Sequence, residues 1–488
     1  MTVYIIGHKF HFETENLCRM FYPNSDIRLE YENDDVHGDY IIAKMNTLDG
    51  ITVLSVEASI DGKTEKAERT IAVYSDDEAE YNLALCLYDC LTKITDYTPA
   101  WGLLTGVRPS KLMNRLIEEK GEDNAKIYFK NKLLVSESKT QLAFEVAQAQ
   151  KQIFNNNRAD SFSLYVSIPF CPSRCSYCSF VSHSITSNNA KKLLEPYIEN
   201  LAKEIVITAD YAKKNNLRLE SVYFGGGTPG ILSAEQSEFL INTVKDNFDM
   251  SFCREFTFES GRADTITAEK LLTLKNCGVE RISINPQTFD DNVLEIIGRK
   301  HTAEQAVEAY RLAQNIGFDS INMDLIAGLP GDTVECFMNS VDKAISLGAE
   351  NITVHALALK RSSNLVAKEN AALSQDMAAA QMIDYANKTL SENGYIPYYM
   401  YRQSRCVGNL ENVGWCLPGK ECIYNVYMME EIHTVLAVGA GAVTKLKAPH
   451  DNHIERIFNY KYPYEYNTGF DTLVERKNRI SEFYSTYN

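Results

Sequence analysis

"LYVSIPFCPSRCSYCSF", residues 164–180, joins an apolar run typical of a buried strand to three closely spaced cysteines, Cys171, Cys175 and Cys178. Phe180 stands where one more cysteine would have supplied a fourth local ligand. Thiol groups clustered in a chain without a disulfide pattern indicate metal binding or catalysis. The stretch therefore predicts a strand whose carboxyl end carries a site with three local thiol ligands.

The composition limits the kinds of protein that can carry this site. At 488 residues the chain is too long for one ordinary core, so we expect two or three domains. A net charge of -16 argues against a broad nucleic-acid-binding surface. No segment approaches the roughly 18 apolar residues of a membrane span, and "MTVYIIGHKF" (1–10) lacks the pattern of a secretion signal. We expect a cytoplasmic protein with neither nucleic-acid nor membrane partners.

The chain contains 12 cysteines, and most of them need no functional explanation. Reduced thiols are the rule in the cytoplasm, and a free cysteine packs well in a core. Six cysteines lie singly or on expected helices, and we expect them to be ordinary buried residues: Cys18, Cys86, Cys90, Cys253, Cys277 and Cys336.

The middle of the chain alternates between expected strands and expected helices. Six apolar runs have the length of buried strands: 164–170, 221–224, 256–260, 281–285, 320–326 and 351–357. Capping boxes at Ser233 and Thr302 begin helices between them, and glycines at 278, 317 and 348 end them. Six β–α units in succession predict a parallel sheet, and six units are fewer than a closed barrel needs. The expected fold is a partial (β/α)6 barrel.

Small or polar residues follow five of these strands where each strand ends. Cys171 ends the first strand, Gly225-Gly226-Gly227-Thr228-Pro229 the second, and Glu259, Gln287 and Asp324 the next three. Barrels of parallel strands build their active sites at the carboxyl ends of the strands. We therefore expect the active site at this rim.

Three thiols favour an iron–sulfur cluster over a structural zinc ion. Structural zinc sites close with four ligands, and a distant cysteine would be needed to complete one here. In a cubane cluster each thiolate binds one iron, so three thiolates leave one iron open to another molecule. Small and polar residues between the cysteines fit a loop that wraps a cluster. A cluster with an open iron is suited to chemistry as well as to electron transfer.

These motifs resemble those of the radical S-adenosylmethionine (SAM) superfamily. C-x3-C-x2-C after the first strand and "YFGGGTPG" (223–230) after the second are similar to its cluster loop and its glycine-rich segment. "GVERISINPQTF" (278–289), "INMDLIAGLPGDT" (321–333) and "VGAGAV" (438–443) resemble the oxygen-independent coproporphyrinogen III oxidase family. "LLTGVRPSKL" (103–112) and "GWCLPGKECIYN" (414–425) are similar to its HemZ-type branch.

The resemblance implies a [4Fe–4S] cluster on Cys171, Cys175 and Cys178, with SAM on the fourth iron. It also implies the residues that bind SAM, which would surround its methionine end with bare backbone and its charged and hydroxyl groups with polar side chains. They are Tyr165, Tyr177, Gly226, Gly227, Thr228, Glu259, Gln287, Arg299, Asp324, Ala358 and Val443.

The reaction implied by the resemblance is the oxidative decarboxylation of two propionates of coproporphyrinogen III, which gives protoporphyrinogen IX. A flavodoxin- or ferredoxin-type protein would supply electrons. Four substrate carboxylates would need cationic partners, and Arg108, Arg402 and Arg405 are candidates. Catalytic residues of the chain itself are not indicated.

Two positions depart from the established decarboxylating members of the family. Those members usually carry histidine at the position of Ser167 and cysteine at the position of Phe180. Phe180 is equally typical of the haem-chaperone branch. Two alternatives therefore stay open: a haem-binding chaperone, with His355, His433 or Cys406 as candidate iron ligands, or a radical SAM enzyme that acts on haem by methylating ring opening.

Three domains are expected along the chain. Residues 1–158 should form a mixed α/β domain of unknown role, 159–395 the radical SAM core and 396–488 a capping region on the substrate side. Within the first domain, Asp49-Gly50 and Asp61-Gly62 predict hairpin turns. In the last, Cys406, Cys416 and Cys422 are either buried packing residues, which we favour, or ligands of a second cluster.

Overall fold

The computed structural model describes residues 1–23, 25–32, 36–72, 75–178, 180, 182–186, 188–358, 372–403 and 406–487. The chain divides into two compact units. Unit 1 contains Met1–Phe144 and Arg402–Asn409, and unit 2 contains Glu145–Tyr401 and Leu410–Asn488. The three-domain division at 158 and 395 stays a prediction.

Unit 1 is built on a five-stranded sheet with helices. Its elements are β1 (Thr2–Ile6), α1 (His11–Phe21), β2 (Arg28–Glu30), β3 (Tyr40–Leu48), β4 (Ile51–Ile60), β5 (Lys63–Ile71), α2 (Asp76–Thr95), α3 (Pro109–Lys120), α4 (Glu122–Ile127) and a π-helical turn (Tyr128–Lys132). The next helix, α5 (Glu137–Asn155), begins in unit 1 and ends in unit 2. The strand order is β2-β1-β3-β4-β5, with β3, β4 and β5 antiparallel.

Both hairpin predictions in unit 1 are confirmed. Asp49 and Gly50 join β3 to β4, and Asp61 and Gly62 join β4 to β5. All four residues have positive φ, between 49° and 78°, as a two-residue turn that matches strand twist requires. α2 packs its apolar stripe on the inner face of this sheet, where the Cys86 thiol lies 3.8 Å from the Leu54 carbonyl oxygen.

Unit 2 contains the strand–helix alternation. Its elements are β6 (Ser161–Ile168), β7 (Phe170–Cys171), β8 (His183–Ser184), α6 (Asn188–Lys214), β9 (Arg218–Gly226), α7 (Ala234–Asn247), β10 (Glu255–Gly261), α8 (Ala268–Asn276), β11 (Arg281–Ile284), α9 (Asp291–Ile296), α10 (Ala303–Ile316), β12 (Ser320–Ala327), α11 (Val334–Leu347), β13 (Asn351–Ala356), α12 (Ala372–Glu392), β14 (Ile396–Arg402), β15 (Glu411–Cys416), α13 (Ile423–Glu430), β16 (Thr434–Val438), β17 (Val443–Lys447), β18 (Ile454–Phe458), α14 (Pro463–Thr468) and α15 (Phe470–Tyr487).

The six predicted strands form the partial barrel. β6, β9, β10, β11, β12 and β13 are neighbours in this order and run parallel. Residues beyond 396 extend the same sheet on both sides: β16 lies parallel beside β6, and β15 lies antiparallel beside β13. The fold class is confirmed, and the carboxyl-terminal strands are continuous with the barrel sheet.

The helix boundaries follow the sequence signals. The capping boxes at Ser233 and Thr302 are both formed, and each hydroxyl accepts a hydrogen bond from the backbone three residues on. Gly317 and Gly348 end α10 and α11 in the left-handed conformation, and Gly278 has φ of 84° just after α8. These glycines are required because this backbone conformation is costly for residues with a Cβ.

The two faces of the barrel strands differ in chemistry. Alternate residues point to opposite faces, and one set is apolar and buried, such as Leu164, Val222 and Ile282. The other set is mainly polar and is connected by hydrogen bonds across neighbouring strands, such as Ser163 to Ser221 at 2.7 Å. Parallel sheets usually bury apolar residues on both faces, so a polar concave face indicates a binding site.

The amino ends of the barrel strands are closed by α13. Glu255, at the start of β10, accepts backbone hydrogen bonds from Ile423 at 2.8 Å and Tyr424 at 3.1 Å. A buried carboxylate at the first turn satisfies N–H groups that a helix leaves without partners. Arg281 lies 3.5 Å from the same carboxylate and donates to the Lys420 carbonyl oxygen. These contacts cover the amino end of β10 with α13 and the residues just before it.

Candidate active site at the carboxyl ends of the barrel strands

The three cysteines lie on one loop that leaves the first barrel strand. Cys171 ends β7 and accepts a hydrogen bond at its sulfur from the Thr228 hydroxyl at 3.4 Å. Cys175 is buried, Cys171 and Cys178 are half-buried, and the Cys178 N–H donates to the Cys175 carbonyl oxygen at 3.2 Å. Phe180, two residues further, is 63% exposed.

The glycine-rich segment packs directly against the start of this loop. The Gly227 N–H donates to the Ile168 carbonyl oxygen at 2.9 Å, and the Thr228 N–H donates to the Phe170 carbonyl oxygen at 2.8 Å. A Cβ at Gly227 would lie 2.6 Å from that Phe170 oxygen, a distance that only a residue without a side chain avoids. This close approach explains why glycine stands at this position.

The thiol set fits an iron–sulfur cluster. Burial raises the pKa of Cys171, and it raises that of Cys178 to about 11, so both thiols are protonated until a metal displaces the proton. Within the described ranges, no three His, Cys, Asp or Glu side chains lie close enough together to ligate one metal ion. In a cubane each thiolate binds a different iron, so its ligands need not meet at one point.

Two carboxylates face the barrel interior beside the loop. Tyr223 donates to Glu259 at 2.5 Å, and burial together with the nearby charge of Asp324 raises the Glu259 pKa to about 7. Asp324 is half-buried, with 21% of its side chain exposed. Although this burial raises its pKa, His355, 3.8 Å away, and the Asn322 amide, 2.7 Å away, hold the pKa below the ordinary value. The sequence had not linked Tyr223 or His355 to this pair, although both occupy inward positions of their strands.

Arg299 and Tyr177 lie on the other side of the loop. Arg299 donates to the Tyr177 hydroxyl at 3.0 Å and to the Asn285 carbonyl oxygen at 2.7 Å. Arg299 Nε and Asn285 Oδ1 are buried and have no hydrogen-bond partner among the residues that the structure describes. Buried polar atoms are nearly always satisfied, so these two atoms are suited to a bound polar ligand.

Gln287 adopts an uncommon backbone conformation between β11 and β12. Its φ is 71°. Its backbone N–H donates to the Asp324 carbonyl oxygen at 2.9 Å, and its backbone carbonyl oxygen accepts from the Ile326 N–H. A positive φ is costly for a residue with a Cβ and is concentrated at functional sites. The exchange of hydrogen bonds fixes Gln287 beside Asp324.

The remaining predicted SAM contacts also lie toward the rim. A Cβ at Gly226 would be 3.3 Å from the Tyr165 hydroxyl, which places that hydroxyl at the glycine segment. The Tyr165 ring reaches deeper, where it stacks with Tyr424 at 6.1 Å between centroids. Ala358 follows β13 by two residues, and Val443 begins β17 at the carboxyl end of β16. The structure therefore brings the predicted residues to one end of the barrel.

Ser167 has a structural role that its sequence position did not reveal. It is 4% exposed, and its hydroxyl donates to the Ala440 carbonyl oxygen at 2.8 Å. Ala440 belongs to the turn at residues 439–442, which we call the β16–β17 turn. A buried ion pair supports the same turn: Glu204 accepts from the Gly439 N–H at 2.8 Å and pairs with Lys477 at 2.9 Å.

Several residues singled out from the sequence are engaged elsewhere. His433 is 4% exposed, and its two ring nitrogens contact Ser163 Oγ at 2.8 Å and Asn157 Oδ1 at 2.7 Å. Arg402, in unit 1, is 6% exposed, donates to the Leu104 carbonyl oxygen and stacks over a tryptophan ring. Arg405 lies outside the described residues. Neither His433 nor Arg402 presents a free polar group to a ligand.

The other cysteines are mostly packing residues, as expected. Cys18, Cys86, Cys90 and Cys277 are buried, whereas Cys253 and Cys336 are only partly buried. Of the carboxyl-terminal thiols, Cys416 and Cys422 are buried in one apolar cluster of unit 2, and Cys406 belongs to unit 1. The Cys422 thiol donates to Glu255 Oε1 at 3.2 Å, so this buried thiol has a partner within the protein. The preference for packing residues over a second cluster stays a prediction.

The barrel of this chain matches a known superfamily of enzymes. The family model described as the radical SAM superfamily matches residues 165–344, from the first barrel strand into α11. This superfamily uses a [4Fe–4S] cluster with three cysteine ligands and SAM on the fourth iron, and these are the cofactors of this chain. Among the helices of the described residues, none has the length and apolar character that crossing a membrane requires.

Two relatives and one solved structure narrow the class. The oxygen-independent coproporphyrinogen-III oxidase-like protein HemZ of Bacillus subtilis is 32% identical over 484 residues, which cover 97% of this chain and 96% of that protein. The heme chaperone HemW of the same organism is 31% identical over 315 residues, covering 62% of this chain and 77% of that protein. The Escherichia coli coproporphyrinogen III oxidase HemN, a radical SAM enzyme, superposes with a TM-score of 0.52 at 23% identity, over 67% of this chain and 73% of that one, which shows the shared fold.

The chain belongs to the oxygen-independent coproporphyrinogen III oxidase family, in its HemZ-type branch.

Proposed function

We propose that this protein is a radical SAM enzyme that oxidatively decarboxylates two propionates of coproporphyrinogen III, giving protoporphyrinogen IX. The observation that carries the proposal is the polar concave face of the barrel, whose carboxylates and arginine gather beside the cysteine loop. A cluster with a purely structural role would not need Glu259, Asp324 and Arg299 at this rim. The nearly full-length similarity to a coproporphyrinogen-III oxidase-like protein supports the same reaction.

The cluster on Cys171, Cys175 and Cys178, with SAM on its open iron, would supply an oxidant able to take a hydrogen atom from an unactivated carbon. Each propionate would lose one hydrogen atom from its β-carbon, then carbon dioxide and one electron, and a vinyl group would remain. The electron passes to a one-electron acceptor. A flavodoxin- or ferredoxin-type protein is the proposed source of the electron that begins each cycle.

The chain's own residues would orient SAM and exclude water. Glu259 and Asp324 would accept hydrogen bonds from the ribose hydroxyls, and Arg299 would donate to the methionine carboxylate. Gly226 and Gly227 leave the backbone bare where the methionine end approaches. These residues are the proposed cofactor contacts, with Tyr165, Tyr177, Thr228, Gln287, Ala358 and Val443 around them.

The haem-chaperone alternative is supported by the HemW relatives and by Phe180. The structure removes one of its expected iron ligands, because both nitrogens of His433 are engaged in the core. Cys406 is 1% exposed. His355 stays as a ligand candidate, but it faces Asp324 at the proposed SAM site. If His355 were the iron ligand, haem would bind at the site where the enzyme would bind SAM.

The test is an anaerobic assay of the reconstituted protein with SAM, a reductant and coproporphyrinogen III. We expect protoporphyrinogen IX and 5′-deoxyadenosine, one molecule of the nucleoside for each vinyl group. The Asp324→Asn variant should lose both products, whereas Asp249→Asn, on an exposed turn between α7 and β10, should form them at the wild-type rate.

Other outcomes of this assay would replace the proposal. Deoxyadenosine without protoporphyrinogen would refute the decarboxylation. Stoichiometric haem binding and transfer to an acceptor, with no deoxyadenosine, would establish the chaperone. Formation of S-adenosylhomocysteine with opening of the haem ring would establish the methylating enzyme.

A further inference from the structure

Arg262 holds the cysteine loop from the neighbouring part of the barrel. It follows β10 directly and is 3% exposed. Its Nη1 donates to the Ser173 hydroxyl at 2.7 Å and lies 3.4 Å from the Ser173 carbonyl oxygen. Ser173 stands between Cys171 and Cys175, so this side chain fixes the part of the loop that sets the separation of two expected cluster ligands.

Asp264 orients the Arg262 guanidinium. Arg262 donates from Nε to Asp264 Oδ1 at 2.9 Å and from Nη2 to Asp264 Oδ2 at 2.8 Å. The two parallel bonds fix the plane of the guanidinium and direct the remaining nitrogen toward the loop. Arginine has this forked geometry and lysine does not, so the site selects arginine for its shape as well as its charge.

The cysteine loop also contacts the segment that follows α9, at residues 297–299. The Ser173 hydroxyl lies 3.5 Å from the Gly298 carbonyl oxygen, and the Ser176 N–H donates to the Ile297 carbonyl oxygen at 3.0 Å. The same segment carries Arg299, whose guanidinium contacts Tyr177 within the cysteine loop. The loop is therefore held at several points by elements that follow β10 and β11.

We propose that Arg262, braced by Asp264, is a positioning residue for the cluster loop, and that it controls how firmly the [4Fe–4S] cluster is held. Mobile ligands release metal more readily, because each ligand that leaves an iron opens the cluster to attack. Partners of metal ligands commonly alter metal affinity by about 10–100-fold when they are replaced. The proposal depends on the three cysteines as cluster ligands and is independent of the tetrapyrrole reaction.

The experiment measures the loss of iron from the anaerobically reconstituted protein after a chelator is added. We expect Arg262→Gln to lose iron at least about tenfold faster than the wild type. Arg262→Lys should restore little of the wild-type resistance to iron loss, because one ammonium nitrogen cannot occupy the three positions from which Nε, Nη2 and Nη1 reach Asp264 and Ser173. Asp264→Asn, which leaves the arginine present but less firmly oriented, should give an intermediate rate.

A second readout separates positioning of the loop from a general loss of stability. The reduced cluster should give an altered electron paramagnetic resonance spectrum in Arg262→Gln. Arg281→Gln is the matched control, because Arg281 is a buried arginine that also faces a buried carboxylate, at the amino end of its strand. It should lower resistance to urea and leave the iron-loss rate and the spectrum unchanged.

The proposal is overturned if Arg262→Gln keeps the wild-type rate and spectrum, or if Arg281→Gln accelerates the loss of iron equally. If Arg262→Gln does not fold, Asp264→Asn decides: an unchanged iron-loss rate in that variant refutes the proposal, and a faster rate with a normal circular-dichroism spectrum supports it.

Discussion

Replacing Lys477 by methionine tests the buried ion pair that supports the β16–β17 turn. Lys477 is fully buried on α15, and it donates to Glu204 at 2.9 Å and to the Ala437 carbonyl oxygen at 2.7 Å. Methionine has a similar length and no charge. The Glu204 carboxylate would therefore stay buried without its cation, and the Ala437 oxygen would lose a donor.

We expect Lys477→Met to lower the free energy of unfolding by an amount near the lower end of the range for broken buried ion pairs. Breaking a buried ion pair by removing one partner costs about 3–5 kcal/mol. Glu204 keeps three neutral donors: the Gly439 N–H at 2.8 Å, the Tyr466 hydroxyl at 2.6 Å and the Asn459 amide at 2.8 Å. These donors stabilise the remaining charge in part, so we expect a loss of about 3 kcal/mol in the free energy of unfolding of this unit.

The measurement is urea unfolding of the apoprotein under anaerobic conditions, together with hydrogen exchange at the Gly439 amide. Exchange should accelerate, because a lower free energy of unfolding lets the turn open more often and exposes this N–H to water. The double variant Glu204→Gln/Lys477→Met removes the charge altogether and should recover at least half of the loss. A cost below about 1 kcal/mol for Lys477→Met, the range of exposed ion pairs, or no recovery in the double variant would refute this account.

Three further changes test the site. Replacing Cys171, Cys175 or Cys178 singly by alanine should prevent the protein from retaining four irons per chain after reconstitution, measured by iron analysis; full retention in all three would exclude them as ligands. Gly227→Ala would place a Cβ 2.6 Å from a backbone oxygen at the start of the loop, and it should lower both iron content and thermal stability. Wild-type iron content and stability would show that the loop can shift to make room for the Cβ. Glu259→Gln tests the raised pKa of about 7. A carboxyl whose pKa is higher in the folded state than in the unfolded state stabilises the protein at low pH and loses that contribution as pH rises through 7. The apoprotein variant should therefore exceed the wild type in stability by up to about 3 kcal/mol at pH 8 and by little at pH 4, and an equal difference at both would contradict the raised pKa.

Local signals were sufficient for the capped helices α7 and α10, the two hairpins and the six parallel strands of the barrel. Ser233 and Thr302 begin helices because their side chains satisfy backbone donors within three residues, an interaction that needs no tertiary partner. The left-handed glycines after the helices are local for the same reason. Similarly, the six apolar runs predicted six parallel strands, because each run must bury its outward residues against helices.

The contacts that hold the site could not be predicted, because they join residues far apart in the chain. Ser167 is an unremarkable serine in the sequence, and only its contact with Ala440 shows that it supports a turn. Arg262 meets Ser173 across 89 positions, and Glu204 meets Lys477 from separate helices. No periodicity or spacing records such pairs, since their geometry depends on how the strands and helices pack.

Short-range patterns were enough for the cluster site and the class of barrel. Three thiols in one loop indicate an iron–sulfur cluster with an open iron, and the resemblance of this loop and the triple glycine to radical SAM motifs implied SAM as its ligand. Tertiary structure alone decided which polar residues face one another at the rim: Glu259 beside Tyr223, and Asp324 beside His355. The physical reason is that a carboxylate's pKa and its hydrogen-bond partners depend on burial and on neighbouring strands, which exist only after the sheet has formed.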